Sequence, residues 1–159
     1  MLNQIERSRS AQFQDRLARA PLDRSGSDTH ADPQTCVLIV EDDYLVSLQI
    51  ETALRDAGYR VCGIASTADS AIALAAAEKP TLAIMDIRLS GTRDGIDAAI
   101  SLFSAFGVRS IFATAHSDDE VHERANAAAP LGWLQKPYTM ASLLSAVREA
   151  LDELKQPPI

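Results

Sequence analysis

The segment from Leu82 to Asp86 constrains the fold most, because it is an apolar run of strand length that ends abruptly in a carboxylate. The binding crevice of an open parallel sheet lies outside the carboxyl ends of its strands, so such a residue stands at the mouth of the crevice. A second apolar run, residues 36–40, ends in Glu41, Asp42 and Asp43. If the two strands are neighbours, the sequence predicts a crowd of like charges that a cation or a proton must relieve.

Strand-like and helix-like segments alternate from Thr35 onward. Gly58 is placed to end a helix, Ser66-Thr67-Ala68-Asp69 resembles a capping box, and Asp94 and Thr139 are suited to cap later helices. The strands that we predict are residues 36–40, 59–64, 82–86, 109–114 and 132–135. Five strands that alternate with five helices indicate an α/β protein with a doubly wound, five-stranded parallel sheet, the (βα)5 flavodoxin-like fold.

The chain has 159 residues, enough for one domain, which we place at 35–155, with an N-terminal extension at 1–33 and a tail at 156–159. Residues 1–33 carry five arginines and five acidic residues, so the whole net charge of −7 falls on the later residues. An acidic domain without a basic stripe argues against direct DNA binding. We expect the extension to be flexible or partly helical; the alternative is a helix that docks on a partner or on a second copy.

Two cysteines, Cys36 and Cys62, fall inside predicted strands and are typical of buried thiols in a reducing compartment. No apolar run approaches the roughly 18 residues of a membrane helix, and the N-terminus lacks the apolar core of a signal peptide. These features predict a cytoplasmic protein without a membrane partner.

Reactive groups follow four of the predicted strands. Asp42 and Asp86 can share Mg²⁺, which prefers hard oxygen ligands, and Asp86 is then a carboxylate nucleophile for phosphoryl transfer. Lys136 can pair with phosphoryl oxygens, and the Thr114 hydroxyl and the Ala115 N–H can donate hydrogen bonds to them. A single carboxylate at the end of a strand is often only a helix cap or a solvated charge. It is the set of reactive groups at four strand ends that favours a phosphoryl-transfer site.

Four short motifs occur in a fixed order: Val40-Glu41-Asp42-Asp43, Ile84-Met85-Asp86, Ala113-Thr114-Ala115 and Gln135-Lys136-Pro137. In this order and spacing they resemble the receiver domain of bacterial two-component response regulators, particularly the single-domain, chemotaxis-regulator-like type. The resemblance covers about residues 35–155.

This resemblance implies that Asp86 is the phosphoacceptor and that Asp42, Asp86 and the Arg88 carbonyl bind Mg²⁺, with Glu41 acting through water. It implies that Thr114 and Lys136 contact the phosphoryl group and that the peptide bond after Lys136 is cis. Trp133 falls at the position of the switch aromatic, so Thr114 and Trp133 are candidates for the switch.

Two positions depart from the family pattern. Trp133 stands where receivers usually have Tyr or Phe, and both packing and switching remain open for it. Strand alternation predicts that its ring points away from the phosphoryl pocket, toward the last two helices. Ser90 stands where receivers often have Pro, in a loop that we expect to be one residue longer than usual.

The function that we predict is a single-domain response regulator, a switch rather than an enzyme, phosphorylated by a histidine kinase or histidine phosphotransferase. Its output would be binding to a downstream protein or passage of phosphate along a phosphorelay. One rival is a phosphohydrolase of the haloacid dehalogenase type, which expects a second Asp where Arg88 stands. Another is a nucleotide-binding module, which expects a glycine-rich loop after the first strand.

Overall fold

The computed structural model describes residues 31–116 and 118–158, and the predicted extension therefore lies almost entirely outside the described residues. Five strands and five helices alternate in this part of the chain. The strands are β1 Cys36–Val40, β2 Arg60–Ala65, β3 Leu82–Asp86, β4 Arg109–Thr114 and β5 Gly132–Gln135. The helices are α1 Tyr44–Asp56, α2 Ala68–Glu78, α3 Gly95–Phe106, α4 Asp119–Ala125 and α5 Met140–Lys155, and a 3-10 turn at Asn126–Ala128 follows α4.

All strands are parallel, in the order β2-β1-β3-β4-β5. The chain steps outward from β1 to β2 and then returns past β1 to β3, so the winding direction reverses between β1 and β3. Loops that leave these two strands therefore diverge to opposite faces and open a crevice at the carboxyl edge. The predicted doubly wound fold is confirmed, and its switch point lies between the two strands that end in carboxylates.

The core has two layers, because side chains of each strand alternate between the faces of the sheet. One face packs α2, α3 and α4 over Leu38, Met85 and Phe112, while the other packs α1 and α5 over Ile39 and Ile84. All five side chains of both β1 and β3 are buried. A central strand that is buried on both faces must be apolar along its whole buried length. The carboxylates can therefore occur only at its end, at the edge of the sheet.

Capping residues and glycines in the sequence predict most of the helix ends correctly. The side chains of Asp94 and Thr139 accept N–H groups of the first turns of α3 and α5, as predicted. Gly58 and Gly107 take positive φ angles of 90° and 68° just after α1 and α3, where a side chain would be strained.

Two local predictions were wrong by one residue. The second strand begins at Arg60 rather than Tyr59, and the cap of α2 is Thr67, which forms a reciprocal pair with Ser70. A capping box requires a side chain that reaches back to the cap N–H, and the Ser70 hydroxyl does so at 3.2 Å. Of the two cysteines, Cys36 is buried as expected and Cys62 is half-buried.

Within the described residues, no helix combines the length and apolar character needed to cross a membrane.

Candidate phosphoryl-transfer site

Three carboxylates meet at the crevice between β1 and β3. Single oxygen atoms of Glu41, Asp42 and Asp86 lie within 4.8 Å of one another. The register that pairs Val40 with Met85 brings the ends of the two strands side by side. Glu41 and Asp86 are buried, at 4% and 5% exposure, whereas Asp42 is exposed. The two strands are neighbours, so the condition on which the sequence-based prediction depended is met, and the crowding of like charge that it implied is confirmed.

Backbone amides orient the two buried carboxylates. The Asp43 N–H donates to Glu41 Oε1 at 3.1 Å, and the Arg88 N–H donates to Asp86 Oδ1 at 3.2 Å. The side chain of Asp43, the fourth strand-end carboxylate, instead accepts the N–H groups of Leu45 and Val46 at the start of α1. Asp43 is therefore a helix cap, the structural role that a carboxylate after a strand often has.

Lys136 brings one positive charge to the three carboxylates. It follows β5, and its Nζ lies 3.2 Å from Asp86 Oδ1 and 3.8 Å from Glu41 Oε2. Its backbone N–H continues the β4–β5 ladder by donating to the Thr114 carbonyl. The Lys136–Pro137 peptide bond is cis, as the resemblance implied. A single ammonium group leaves this cluster with an excess of negative charge.

Burial and the neighbouring charges both alter the acidity of Glu41. Burial is the main cause that raises the pKa of Glu41 from 4.5 to about 7, opposed by the Asp43 N–H and reinforced by the charge of Asp86. Lys136 lowers the same pKa by a smaller amount. Burial also raises the pKa of Tyr138 to about 12, with further contributions from the charges of Glu41 and Asp86. A proton on Glu41 or a bound cation would each reduce the repulsion between Glu41 and Asp86.

Thr114 lies at the same edge, at the end of β4. Its hydroxyl donates to the His116 carbonyl at 2.6 Å and accepts the His116 N–H at 3.2 Å. The hydroxyl is thus turned toward its own loop, and it must leave the His116 carbonyl before it can donate to a phosphoryl oxygen. The neighbouring Ala115 carbonyl accepts a hydrogen bond from the Gln135 side chain at 2.7 Å.

Trp133 contacts two rings on the α4 side of the sheet, stacked on Phe112 and tilted against His122. Its ring centroid lies 4.9 Å from that of Phe112 and 3.9 Å from that of His122. Trp133 packs with the core layer of α2, α3 and α4 and not with that of α5, so the expectation that it also faces α5 is wrong. Leu134, the next residue of β5, packs with α5 on the opposite face, as strand alternation requires.

Gly95 is a site residue that sequence reasoning missed. A Cβ atom at this position would lie 1.9 Å from the Asp86 carbonyl oxygen, and the Gly95 N–H donates to the Ile87 carbonyl at 2.7 Å. The first residue of α3 thus lies directly against the backbone of Asp86. A cap residue followed by glycine, Asp94-Gly95, was the available signal, but only the packing of α3 on β3 shows why a side chain is excluded.

Comparisons with known proteins agree with this geometry. A sequence model of the response regulator receiver domain matches residues 37–148. The transcriptional regulatory protein PdtaR of Mycobacterium tuberculosis is 35% identical over 120 residues, which cover 76% of this chain and 58% of PdtaR. The phyllosphere-induced regulator PhyR of Methylorubrum extorquens is 32% identical over 132 residues, 82% of this chain and 48% of PhyR. The chain thus spans about half the length of these relatives.

Solved structures show the same domain. The signal receiver domain of a modulated diguanylate cyclase from Desulfovibrio desulfuricans G20 superposes with a TM-score of 0.70 at 32% identity, covering 76% of this chain and 95% of that one. The receiver domain of PhyR from Erythrobacter litoralis gives a TM-score of 0.66 at 33% identity, with coverages of 79% and 95%. With its crevice of carboxylates and its lysine, this chain belongs to the response regulator receiver domain family.

Proposed function

We propose that this protein is a phosphorylation-dependent switch in which Asp86 accepts a phosphoryl group from a histidine kinase or a histidine phosphotransferase. The observation that carries the proposal is the position of Asp86, which lies among two further carboxylates and 3.2 Å from the ammonium group of Lys136. In the transfer, an Asp86 oxygen attacks the phosphorus atom of phosphohistidine. The P–N bond breaks, the imidazole leaves, and an acyl phosphate forms on Asp86.

The donor set of the crevice fits Mg²⁺. Hard carboxylate oxygens converge without a histidine or cysteine in the described cluster, which suits a hard cation better than zinc. Glu41, Asp42, Asp86 and the carbonyl of Arg88 would hold the ion, with Glu41 acting through water. When bound, the ion lowers the repulsion between an anionic donor and the anionic nucleophile.

Lys136 and Thr114 would serve the phosphoryl group after transfer. Lys136 already contacts the Asp86 oxygen, so a small displacement lets its ammonium group pair with a phosphoryl oxygen. Thr114 would exchange its bond to the His116 carbonyl for a bond to the phosphoryl group. We propose that this exchange loosens the β4–α4 loop and changes the packing of Trp133, which lies against α4 through His122.

An exposed apolar patch beside the crevice is suited to receive the donor protein. Tyr44 and Leu45, at the start of α1, are 71% and 70% exposed. Next to them lies a groove of about 400 Å³, lined by Lys136 itself together with Val46, Gln49, Pro137, Tyr138 and Met140. A protein that delivers phosphohistidine to Asp86 must cover the rim of this crevice, so we propose that the patch binds the donor.

The alternative enzymatic reading, a phosphohydrolase, receives less support from the site. Arg88, which stands where such an enzyme expects its second aspartate, has an exposed side chain, and its N–H orients Asp86. We therefore propose a switch rather than an enzyme, with output through a downstream protein or a phosphorelay and without direct DNA binding. Turnover of a generic phosphate ester would distinguish the enzyme from the switch.

The first prediction concerns the phosphoacceptor. We expect Mg²⁺-dependent labelling of the protein by a phosphorylated histidine kinase, and loss of labelling with EDTA or in Asp86→Asn. Asp43→Asn is the matched control, because asparagine caps a helix as well as aspartate does and the orienting Asp43 N–H is retained. Labelling of Asp86→Asn equal to that of the wild type would contradict the assignment.

The second prediction concerns the buried carboxyl group of Glu41. Because the pKa of Glu41 is raised to about 7 in the folded protein, the folded state binds more protons than the unfolded state between about pH 4.5 and 7. The protonated Glu41 side chain contributes to the free energy of unfolding. This contribution is complete below about pH 4.5, the pKa of Glu41 in the unfolded state, and is lost as the pH rises through about 7. In EDTA, the free energy of unfolding of the wild type should therefore fall relative to Glu41→Gln by up to about 3 kcal/mol between pH 4.5 and 8.

Urea unfolding at a series of pH values measures this difference. Adding Mg²⁺ should reduce it, because a bound cation favours the ionised carboxylate. Parallel pH profiles of the wild type and Glu41→Gln in EDTA would show that Glu41 is not the group that titrates.

The third prediction tests the donor surface. Leu45→Ala should slow phosphoryl transfer from a protein donor about tenfold, because an anchoring leucine at an interface can contribute more than about 1 kcal/mol. Labelling by phosphoramidate, which needs no protein contact, should be unchanged. Phe106→Ala, another exposed apolar residue but at the C-terminal end of α3, is the control. Equal slowing with both donors would mean that Leu45 affects the site rather than docking.

The fourth prediction concerns the switch and uses Trp133, the single tryptophan of the chain. Beryllofluoride, a phosphoryl analogue, should change the Trp133 emission maximum when added to Mg²⁺-loaded protein, since the ring contacts the imidazole of His122 at a centroid distance of 3.9 Å. Thr114→Ala should remove most of the change, because it lacks the hydroxyl that moves. Constant emission while calorimetry shows that beryllofluoride binds would show that Trp133 only packs.

A further inference from the structure

The three carboxylates of the crevice are oriented by different means. Glu41 and Asp86 are buried and are held by backbone N–H groups, which any sequence supplies when the loop has this shape. Asp42 is exposed, so burial does not hold its side chain. Within residues 31–116 and 118–158, the hydrogen bond found for its carboxylate comes from the hydroxyl of Ser90, which donates to Asp42 Oδ2 at 3.3 Å.

Ser90 is itself held in place by the backbone. It forms an isolated parallel bridge with Thr67, the cap residue of α2. Thr67 is fixed in turn, because its hydroxyl accepts the Ser70 N–H at 3.1 Å and its own N–H donates to the Ser70 hydroxyl. The preceding Leu89 packs against the core on the same side of the sheet. The Ser90 hydroxyl is thus presented to the crevice by a residue that is paired with the cap of α2 and preceded by a residue packed on the core.

Ser90 is also one of the two positions at which the chain departs from the family pattern. The receiver domains that it resembles often have proline there, and proline has no side-chain donor. A hydroxyl at this point can hold one oxygen of Asp42 and leave the other directed to an ion. A restrained ligand loses less conformational freedom on binding a metal, and outer-shell partners act in this way at many metal sites.

We propose that Ser90 is a positioning residue that orients Asp42 for divalent cation binding. The inference rests on the proposed function, because it concerns the same carboxylates. Loss of an outer-shell partner commonly lowers metal affinity about 10–100-fold. Because the bond from Ser90 is long and exposed, we expect a smaller loss, of about three- to tenfold.

Calorimetric titration of the full chain with Mg²⁺, without any phosphodonor, tests this inference. Ser90→Ala should weaken Mg²⁺ binding about three- to tenfold, and Ser90→Thr, which retains a hydroxyl, should restore most of the affinity. Ser104→Ala is the control, since that hydroxyl donates within α3 to the Ile100 carbonyl. Urea unfolding of each variant in EDTA separates a change in metal binding from a loss of folded protein.

Each outcome of the titration decides a different point. Equal affinities of the wild type and Ser90→Ala, or a Ser90→Thr variant as weak as Ser90→Ala, would overturn the inference and leave the proposed function intact. An equal loss in Ser104→Ala would also overturn it, because the effect would then be general. Absence of Mg²⁺ binding by the wild type would instead overturn the proposed metal site and the inference together.

Discussion

Repulsion among the carboxylates of the crevice is the constraint on which the rest of the site depends. Glu41 and Asp86 are buried beside each other and face one ammonium group, that of Lys136. Two buried carboxylates cannot both ionise without a cost, and the charge of Asp86 adds to the larger effect of burial in raising the pKa of Glu41. The site therefore favours any added positive charge, whether a proton or a metal ion.

The fold maintains this unfavourable arrangement through its sheet. β1 and β3 are central, apolar and buried on both faces, and their register places the two carboxylates side by side. The free energy from burying these strands, about 1.5–3 kcal/mol for each large aliphatic side chain, outweighs the local repulsion. Gly95 contributes from the other side, since α3 can approach the Asp86 backbone only where there is no side chain.

The surrounding loops connect this charge balance to helix α4. Thr114 closes the β4–α4 loop through the His116 carbonyl, and Trp133 connects β5 to α4 through His122. A new anion at Asp86 would compete for the Thr114 hydroxyl and for Lys136 at the same time. A ligand shifts such an equilibrium only through the difference in its affinity for the two states, and the Thr114 and Lys136 contacts are where that difference can arise.

The sequence by itself determined the strand and helix order, the helix caps at Asp94 and Thr139, and the residue types that reach the edge of the sheet. These follow from local propensities and from the burial of apolar strands, which act over a few residues. The tertiary structure alone decided what depends on contacts between distant segments: the Ser90 bond to Asp42, the contact of the Trp133 ring with that of His122, and the exclusion of a side chain at Gly95. Such contacts join segments up to 48 positions apart, and no local pattern encodes the distance between them.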